Sequence, residues 1–345
     1  MGTKLKEIIE KKEISFEELS GKVIVIDTFN ILYQFLSSIR QKDGTPLMDS
    51  KGRVTSHLAG LFTRTLKMLE FNIKPVFVFD GVPPKIKEKE KERRAELKEE
   101  AAKQYKIALE REDIEAMKKF GSRISFLSEE MVNESKELIE AMGLPVVQAP
   151  SEGEAQAAYI VNKGDAFAEV SQDYDCLLYG VKRVIQNLTV SEKRKKIGTL
   201  AYERVVPEII DLEKNLKRLG IDQEQLLIIG ILVGTDYNLG GIKGIGPKKA
   251  LKLVKEYKPN YDKLFKDLKW CDYFDFGWEE VYNTIKNMPV TDKYELTWKN
   301  IDKEKIKKIL VDEHEFSADR VSSLIEKTKL IKGKNSQGDL NRWFV

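Results

Sequence analysis

The chain has 345 residues and a mass of 39.6 kDa, which allows one large α/β domain with insertions or two smaller domains. Hydrophobic residues make up 41% and charged residues 33%, and no uncharged apolar run reaches the ~18–20 residues of a membrane span. The composition therefore excludes a membrane protein and a disordered chain. The net charge is only +3, so any attraction to nucleic acid depends on how charge is arranged.

The N-terminus and the cysteines predict the compartment. Residues 1–20 alternate Lys and Glu without a continuous apolar stretch, so a secretion signal is not indicated. Gly2 is followed by Lys6 where a myristoylation signal requires Ser or Thr. Two cysteines, Cys176 and Cys271, are too few for a disulfide framework. We expect an intracellular protein of the cytoplasm or nucleoid that is neither secreted nor attached to a membrane.

Three short apolar runs predict buried parallel strands: Lys22–Asp27, Pro75–Asp80 and Ala166–Val170. Segments with a helical pattern separate them, which predicts an α/β fold with a central, mostly parallel, twisted sheet flanked by helices. A fourth apolar run, Gln225–Val233, is compatible with a strand or with a buried helix.

Two regions interrupt this pattern. Residues 82 to about 130 start at Pro83-Pro84, are highly charged and are poor in large apolar groups, which predicts a helical excursion away from the sheet. Residues 332–345 begin with a flexible composition but end in large apolar side chains, which a solvated tail does not need.

Acidic residues collect where the predicted strands end. In an open α/β sheet the carboxyl ends of the strands form the ligand crevice, so these residues are expected to converge. They are Asp27, Asp80, Glu152, Glu154, Asp173, Asp175 and Asp236. Singly, each has a structural explanation, because Asp after a strand is a common turn former or N-cap and Ser151 with Glu154 fits a capping box.

Seven converging carboxylates would repel one another unless cations neutralise them. Hard oxygen ligands suit Mg²⁺ or Mn²⁺, whereas two histidines, His57 and His314, cannot build a usual zinc site. Two such ions about 4 Å apart suit phosphoryl transfer, because one activates water and the other stabilises the leaving oxygen. The pattern therefore predicts a phosphodiester substrate.

Six motifs occur in order over residues 22–251: VIDTFN, VFVFDG-x-PP, APSEGEAQAAY, SQDYDCLLYG, GTDYN and GIKGIGPKKA. Together they resemble the flap endonucleases of the structure-specific 5′ nuclease superfamily, particularly the archaeal type. The resemblance extends over practically the whole chain. It implies a PIN-like nuclease core that cleaves 5′ flaps at single-strand/double-strand DNA junctions, with 5′-exonuclease activity, in Okazaki-fragment maturation and repair.

The resemblance also implies the roles of the seven acids and of the metal. It places Asp27, Asp80, Glu152 and Glu154 nearer one ion and Asp173, Asp175 and Asp236 nearer another. Two Mg²⁺ ions are expected, with Mn²⁺ able to substitute, and the products would carry a 5′-phosphate and a 3′-hydroxyl.

The resemblance implies that residues 82–130 form a helical arch over the active site, and we call them the arch segment. The charged side chains near its start are sorted by face. On a helix, Lys87, Lys91, Arg94 and Lys98 fall on one stripe and Glu88, Glu92, Glu96 and Glu99 on the neighbouring one. A solvated helix with i,i+4 ion pairs explains this pattern equally well. In the resembling family, the 5′ flap passes through this segment, and Lys87 with Arg93 or Arg94 would contact the scissile phosphate.

A glycine-rich turn precedes a second basic element. The run from Gly240 to Ala250 places Pro247 at a plausible first helical position, so backbone N–H groups there could bind phosphate without reading sequence. The resemblance implies a helix-two-turn-helix over residues 226–260 that grips duplex DNA and holds a monovalent cation in the 234–246 loop. The expected contacts are Gly244, Gly246, Lys248 and Lys249.

Further roles rest on the resemblance alone. Tyr33 and Arg40, on the helix expected after Asp27, would contact DNA, with Tyr33 against the base that flanks the scissile phosphate; core packing is the alternative for Tyr33. Gly2 would lie near the metals.

The C-terminal tail matches the Q-x-x-L-x-x-aromatic-aromatic box that docks on DNA sliding clamps such as PCNA. Its anchors are Gln337, Leu340, Trp343 and Phe344. The alternative is that the two aromatic side chains pack back onto the domain.

We therefore predict a monomeric, metal-dependent flap endonuclease. Its single nuclease domain would cover residues 1–331, followed by a flexible clamp-binding tail over residues 332–345. Its partners would be branched DNA and a sliding clamp. The alternatives are a catalytically inactive junction-binding or clamp-binding scaffold, and a PIN-like ribonuclease or phosphatase that uses the same acids.

Overall fold

A seven-stranded sheet forms the centre of the computed structural model, which describes residues 3–41, 43–111, 113–121, 126–190, 193–195 and 202–327. The strand order is β1-β9-β6-β5-β2-β3-β4, and a separate antiparallel pair consists of β7 and β8. The strands are β1 Lys12–Glu13, β2 Val23–Asp27, β3 Lys74–Phe79, β4 Val146–Gln148, β5 Ala168–Val170, β6 Arg183–Gln186, β7 Lys193–Lys195, β8 Tyr202–Arg204 and β9 Glu208–Asp211.

Five adjacent strands, β4, β3, β2, β5 and β6, run parallel. At one edge β9 pairs antiparallel with β6, and β1 pairs antiparallel with β9. The predicted α/β class is therefore confirmed. The three predicted strands are observed as β2, β3 and β5. They are continuous apolar runs because helices cover both faces of a parallel sheet. In β2, Val25 faces one apolar core while Ile24 and Ile26 face the other.

The helices in chain order are α1 Thr28–Ser38, α2 Ser56–Glu70, α3 Glu88–Glu110, α4 Ile114–Gly121, α5 Glu129–Ala141, α6 Gly153–Lys163, α7 Leu212–Leu219, α8 Gln223–Val233, α9 Pro247–Tyr257, α10 Tyr261–Asp267, α11 Trp278–Lys286 and α12 Lys303–Lys307. A π-helical turn, Lys308–Glu313, continues α12, and a further helix covers 318–327. None of the described helices is long and apolar enough to cross a membrane.

The chain reverses direction across the sheet between β2 and β5. From β2 it proceeds through β3 to β4 at one edge, and it then returns to β5 on the other side of β2. At such a switch point the two connections leave the carboxyl ends of neighbouring strands in opposite directions and open a crevice between them. This crevice lies beside the end of β2.

The undecided apolar run is a helix. All residues of α8 from Gln225 to Val233 are buried, so the helix is hydrophobic on every side and shows no amphipathic period. Its start is marked by a capping box in which Asp222 and Gln225 bond to each other's backbone N–H groups.

The arch segment is mostly helical where it is described. A 3₁₀ turn, Lys85–Lys87, leads into α3, and α3 packs against α4. Next, α5 returns to the body of the protein, where Leu138 and Ile139 are buried in the core. The charged composition of α3 suits a helix that lies outside the core.

Candidate active site

The seven predicted carboxylates lie at the carboxyl-end edge of the sheet and around it. Asp27 ends β2, Asp80 follows β3, Glu152 and Glu154 begin α6, and the remaining three follow β5 and α8. We call this group the acidic crevice. The four segments that follow β2 to β5 converge because those strands are adjacent and parallel, and α8 brings Asp236 to the same place.

The charges of these buried side chains act on one another. Burial and then the charge of Asp80 raise the pKa of Asp27 well above its ordinary value, with further repulsion from Asp173 and Glu152. Burial and then the charge of Asp175 raise the pKa of Glu154 in the same way.

Two further carboxyls of the crevice are perturbed. Burial and repulsion from Glu152 raise the pKa of Asp80 to about 6. Burial and repulsion from Asp236 raise that of Asp175 to about 6, against hydrogen bonds from Thr3. The crevice is thus a buried cluster of like charges that requires compensating cations.

The structural explanations of these acids hold only in part. Asp27 does cap α1, accepting a hydrogen bond from the Asn30 backbone N–H at 3.3 Å. The capping-box explanation for α6 is wrong, because Ser151 donates to the Val82 carbonyl at 2.8 Å and α6 has no side-chain cap. Asp80 instead accepts from the Gly153 N–H at 2.7 Å. The Asp80 carboxylate, from the segment after β3, thus bonds to the N-terminus of α6 in place of the Ser151 side chain.

Two cations from the arch segment enter the crevice. The Lys87 ammonium lies 2.7 Å from Glu152 Oε2 and 3.4 Å from Asp236 Oδ2, and it lies 5.9 Å from the centre of the Tyr237 ring. An Arg94 Nη atom donates to Asp236 Oδ2 at 2.8 Å. Burial alone would lower the pKa of Lys87, but the charges of Glu152 and Asp236 raise it.

The open space among these groups is small. A cavity of about 20 Å³, the size of one water molecule, is lined by Lys87, Glu152, Glu154, Asp175 and Asp236. Among the residues that the structure describes, no three acidic, histidine or cysteine side chains are already arranged as a formed metal site. Lys87 and Arg94 therefore provide the compensating charge in this conformation.

The donor set nevertheless suits hard divalent cations. It consists of carboxylate oxygens, and their raised pKa values show that positive charge in the crevice is favoured. The Lys87 ammonium, buried among the acids, marks a place where the crevice accepts a cation.

Three residues of the site are missed by the sequence reasoning. The Thr3 backbone N–H donates to Asp175 Oδ1 at 2.7 Å, and the Thr3 hydroxyl bonds to the same oxygen. The Asn30 side chain donates to Asp173 Oδ2 at 2.8 Å, so Asn30 links Asp27 to Asp173. Neither residue carries a signal beyond its position near an acid or near the chain start.

The third is Glu169, an additional carboxyl on β5. It is fully buried, and in the described part of the chain neither of its oxygens has a hydrogen-bond partner. Burial and then the charge of Asp27 raise its pKa well above the ordinary value. A glutamate within an apolar strand was the available signal.

The charge sorting on α3 is borne out by exposure. Lys87, Arg94 and Lys98 are half-buried, whereas Glu88, Glu92, Glu96 and Glu99 are exposed. Arg93 is half-buried as well, and the side chain of Lys91 lies outside the description. The three described members of the basic stripe are thus less exposed than the acidic stripe, although Glu99 and Lys103 do form an i,i+4 pair at 2.9 Å.

Tyr33 lies in the middle of α1, and Arg40 lies just beyond its C-terminal end. Tyr33 is 38% exposed, which excludes the core-packing alternative. Arg40 is not on the helix as expected, because α1 ends at Ser38. Its guanidinium donates to the Gly44 carbonyl at 2.8 Å and to the Ser37 carbonyl at 3.3 Å, so it also holds the loop that follows.

The glycine-rich turn connects α8 to α9. Gly241 adopts a positive φ of 58°, and a Cβ there would lie 2.4 Å from the Leu232 carbonyl oxygen, so only glycine fits. Pro247 is the first residue of α9, as predicted. The four expected contacts with DNA are all exposed: Gly244, Gly246, Lys248 and Lys249.

The remaining predicted residues are outside the described part of the chain. They are Gly2 and the four anchors of the clamp box, Gln337, Leu340, Trp343 and Phe344.

Comparisons with known proteins identify the class to which the chain belongs. Two models of XPG-type nucleases match the chain, the XPG N-terminal domain over residues 1–101 and the XPG I-region over residues 143–236. Together they contain all seven acids of the crevice, which defines the class as XPG-type nucleases.

Individual relatives are more specific. Flap endonuclease 1 of Staphylothermus marinus is 50% identical over 353 aligned positions and covers all of both chains. That of Pyrococcus furiosus is 51% identical and covers 100% of this chain and 99% of its own. The solved flap endonuclease-1 from Methanococcus jannaschii is 44% identical, with a TM-score of 0.76 over 96% of this chain and 100% of its own.

The chain belongs to the flap endonuclease 1 family. The family resemblance and the nuclease class predicted from the motifs are confirmed, and nucleases of this family depend on metal ions.

Proposed function

We propose that the chain is a metal-dependent endonuclease that hydrolyses DNA at 5′ flap junctions, with 5′-exonuclease activity, in Okazaki-fragment maturation and repair inside the cell. The observation that carries the proposal is the insertion of Lys87 and Arg94 of the arch segment into a crevice of seven carboxylates. Such a site combines ligands for hard cations with long cationic side chains. It suits hydrolysis of a phosphodiester, because the transition state of that reaction gains negative charge.

The crevice would hold two Mg²⁺ ions, with Mn²⁺ as a substitute. Asp27, Asp80, Glu152 and Glu154 would ligate one ion, and the other three acids would ligate the second. When bound, such ions supply an activated water and stabilise the leaving oxygen, which yields a 5′-phosphate and a 3′-hydroxyl.

The side chains around the crevice would orient these ligands and the substrate. Thr3 and Asn30 bond to Asp175 and Asp173, and these hydrogen bonds would fix the orientation of both carboxylates. Lys87 and Arg94 would leave their carboxylates and bind the scissile phosphate when the charge on the acids is neutralised. Arg94 is favoured over Arg93 for this role because it already bonds to Asp236.

Binding of the duplex would not depend on base sequence. The first N–H groups of α9 have no side-chain cap, and the exposed Lys248 and Lys249 adjoin them. Such an N-terminus binds backbone phosphate. We assign residues 226–260 to this role, with a monovalent cation in the 234–246 loop, and the arch segment to passage of the single strand.

The C-terminal tail would bind the second partner, a DNA sliding clamp. A short segment with one aliphatic and two aromatic anchors binds a hydrophobic pocket with moderate affinity, because ordering the segment costs entropy. We propose that residues 337–344 dock a monomer of this protein on a DNA sliding clamp.

Cleavage of a 5′-end-labelled double-flap DNA tests the proposal. The purified protein is incubated with this substrate, a blunt duplex, a matched single strand and a single-stranded RNA, each with Mg²⁺ or with EDTA. Cutting at the flap junction that requires Mg²⁺ is the expected result. Tight flap binding without cutting would support the scaffold alternative, and preferential cutting of the RNA would support the PIN-like ribonuclease.

A further inference from the structure

Three side chains from three segments come together near the acidic crevice: Lys98, Tyr33 and Phe126. The Lys98 ammonium of α3 lies 5.3 Å from the centre of the Tyr33 ring and 5.9 Å from the centre of the Phe126 ring. Tyr33 belongs to α1, and Phe126 lies in the stretch that leads to α5. One cation from the arch segment is thus held against two aromatic rings from two other segments.

Phe126 is unusual for its exposure. Its side chain is 67% exposed, although a phenylalanine gains more free energy from burial than almost any other residue. Tyr33 is also partly open to solvent, at 38%. Neither ring is therefore fully covered by the folded chain, so each leaves aromatic surface available for stacking with a ligand.

A ligand that binds to the two rings can displace the Lys98 ammonium from them. A cation–π contact at an exposed position is weak, and a lysine side chain is long enough to move aside while its stem stays in place. Arg94 lies four residues earlier on α3, about 6 Å along the helix axis, and it bonds to Asp236 of the crevice. Lys98 and the two rings are therefore about the length of one nucleotide from the place proposed for the scissile phosphate.

We propose that Phe126 and Tyr33 are the two walls of a slot for one unpaired nucleobase of the flap. The base enters between the rings, and Lys98 moves from the rings to a phosphate of the same strand. A base in a duplex is already stacked on both neighbours, so it cannot present both faces to the protein. The slot thus favours single-stranded over double-stranded DNA without reading base identity.

This inference rests on the proposed flap endonuclease function and adds Phe126 to its substrate-binding residues. Flap binding is measured by fluorescence anisotropy in EDTA, so that cleavage does not interfere. Three double-flap DNAs are compared with the intact one. Each carries one abasic site, at the first, the second or the third position of the flap. The variants are Phe126→Ala, which removes the wall, Phe126→Trp, which retains an aromatic face, and Phe126→Leu, which keeps apolar bulk without a stacking face.

The wild type is expected to lose about tenfold in affinity when the abasic site occupies one particular flap position. Phe126→Ala and Phe126→Leu should bind the intact flap several-fold more weakly and should be much less sensitive to that abasic site, whereas Phe126→Trp keeps the sensitivity. Because Phe126 is mostly exposed, unfolding temperatures should match the wild type.

Two results would overturn the slot: equal affinity of the wild type for intact and abasic flaps at all three positions, or full abasic sensitivity in Phe126→Ala. Either could occur in an enzyme that cuts flaps normally, so it would leave the proposed function intact. Failure of the proposed function is separate, because it requires that no flap is cut in Mg²⁺.

Discussion

The Lys87 ammonium bonds to Glu152 Oε2 at 2.7 Å, and this contact joins the base of the arch segment to the acidic crevice. Asp236 lies 3.4 Å away on the other side of the same ammonium. One lysine therefore neutralises two of the acids proposed to bind metal. Cation binding and the position of Lys87 must then be linked, because metal ions and the ammonium compete for the same oxygens.

The first prediction concerns this competition. Lys87→Ala should bind Mg²⁺ or Mn²⁺ more tightly in the absence of DNA, because the competing ammonium is gone. The same variant should cut the flap about 10²-fold more slowly, because a cation is missing where the transition state gains charge. Calorimetric titration and single-turnover cleavage measure the two effects. Lys85→Ala, a change two residues earlier at an exposed lysine, is the control.

The two effects of Lys87→Ala should have opposite directions: the affinity for metal ions rises and the rate of cleavage falls. Unchanged metal affinity in Lys87→Ala would show that Lys87 does not compete for the crevice. An unchanged cleavage rate would show that it does not act on the substrate.

The second prediction concerns pH. Folding raises the pKa of Asp80 and Asp175 to about 6, above the value of about 3.9 in an unfolded chain. The folded, metal-free protein thus binds these protons more tightly, and their stabilising effect, complete below pH 4, is lost as the pH rises through 6. The unfolding temperature in EDTA should therefore fall between pH 4.5 and 7.

Mg²⁺ should reverse this loss at pH 7, because a bound cation removes the repulsion. Asp175→Asn has one group fewer to titrate, so its unfolding temperature should fall less over the same interval. An unfolding temperature in EDTA that stays constant or rises from pH 4.5 to 7 would contradict the electrostatic description of the crevice.

The third prediction concerns the only two histidines of the chain. His57 Nε2 lies 3.2 Å from one oxygen of Glu134, and His314 Nε2 lies 3.1 Å from the other. Both rings are buried. Burial alone would raise the pKa of Glu134, but the hydrogen bond from His57 and the charge of His314 hold it below its ordinary value. Glu134 thus ties the C-terminal segment to α2 and α5.

Glu134→Gln should reduce the free energy of unfolding by about 1–3 kcal/mol, because one of two buried rings loses its acceptor. Denaturant unfolding at pH 7 measures this, with Glu137→Gln at an exposed site of α5 as the matched control. Since folding lowers the pKa of Glu134, its contribution is present above pH 4.5 and is lost below that value. Equal unfolding of the two variants would contradict the prediction.

The fourth prediction concerns the tail. Trp343→Ala combined with Phe344→Ala should abolish binding to a DNA sliding clamp and the stimulation of cleavage by that clamp. Cleavage without the clamp should be unchanged. The control is Asn341→Ala, at a variable position of the box. A comparable loss of activity with and without the clamp would show that the aromatic side chains belong to the folded domain.

The sequence predicts the sheet and the crevice well for a physical reason. Each buried parallel strand is a continuous apolar run, and an acid at its end marks the edge where ligands bind. Asp27 and Asp80 are both recognisable in this way. The run from Gln225 to Val233 remained undecided because a fully buried helix has no amphipathic period, although the capping box from Asp222 would have indicated a helix.

Contacts between distant residues could not be predicted. Thr3 and Asp175 are 172 positions apart, and their hydrogen bond depends on how the whole chain folds. The Ser151 capping box failed for the same reason, since Asp80 from another strand bonds to the helix N-terminus in its place. The pairing of both histidines with Glu134 likewise joins three separate segments.

The most direct test of the account is single-turnover cleavage of a double-flap DNA in Mg²⁺ by Asp175→Asn, with flap binding measured in parallel. Asparagine keeps the acceptor for the Thr3 N–H but removes the charge that would hold a metal ion. Cleavage should fall by about 10³-fold or more while the flap dissociation constant stays within about threefold of the wild type. Cleavage at a wild-type rate by this variant would contradict the assignment of the crevice as the catalytic metal site.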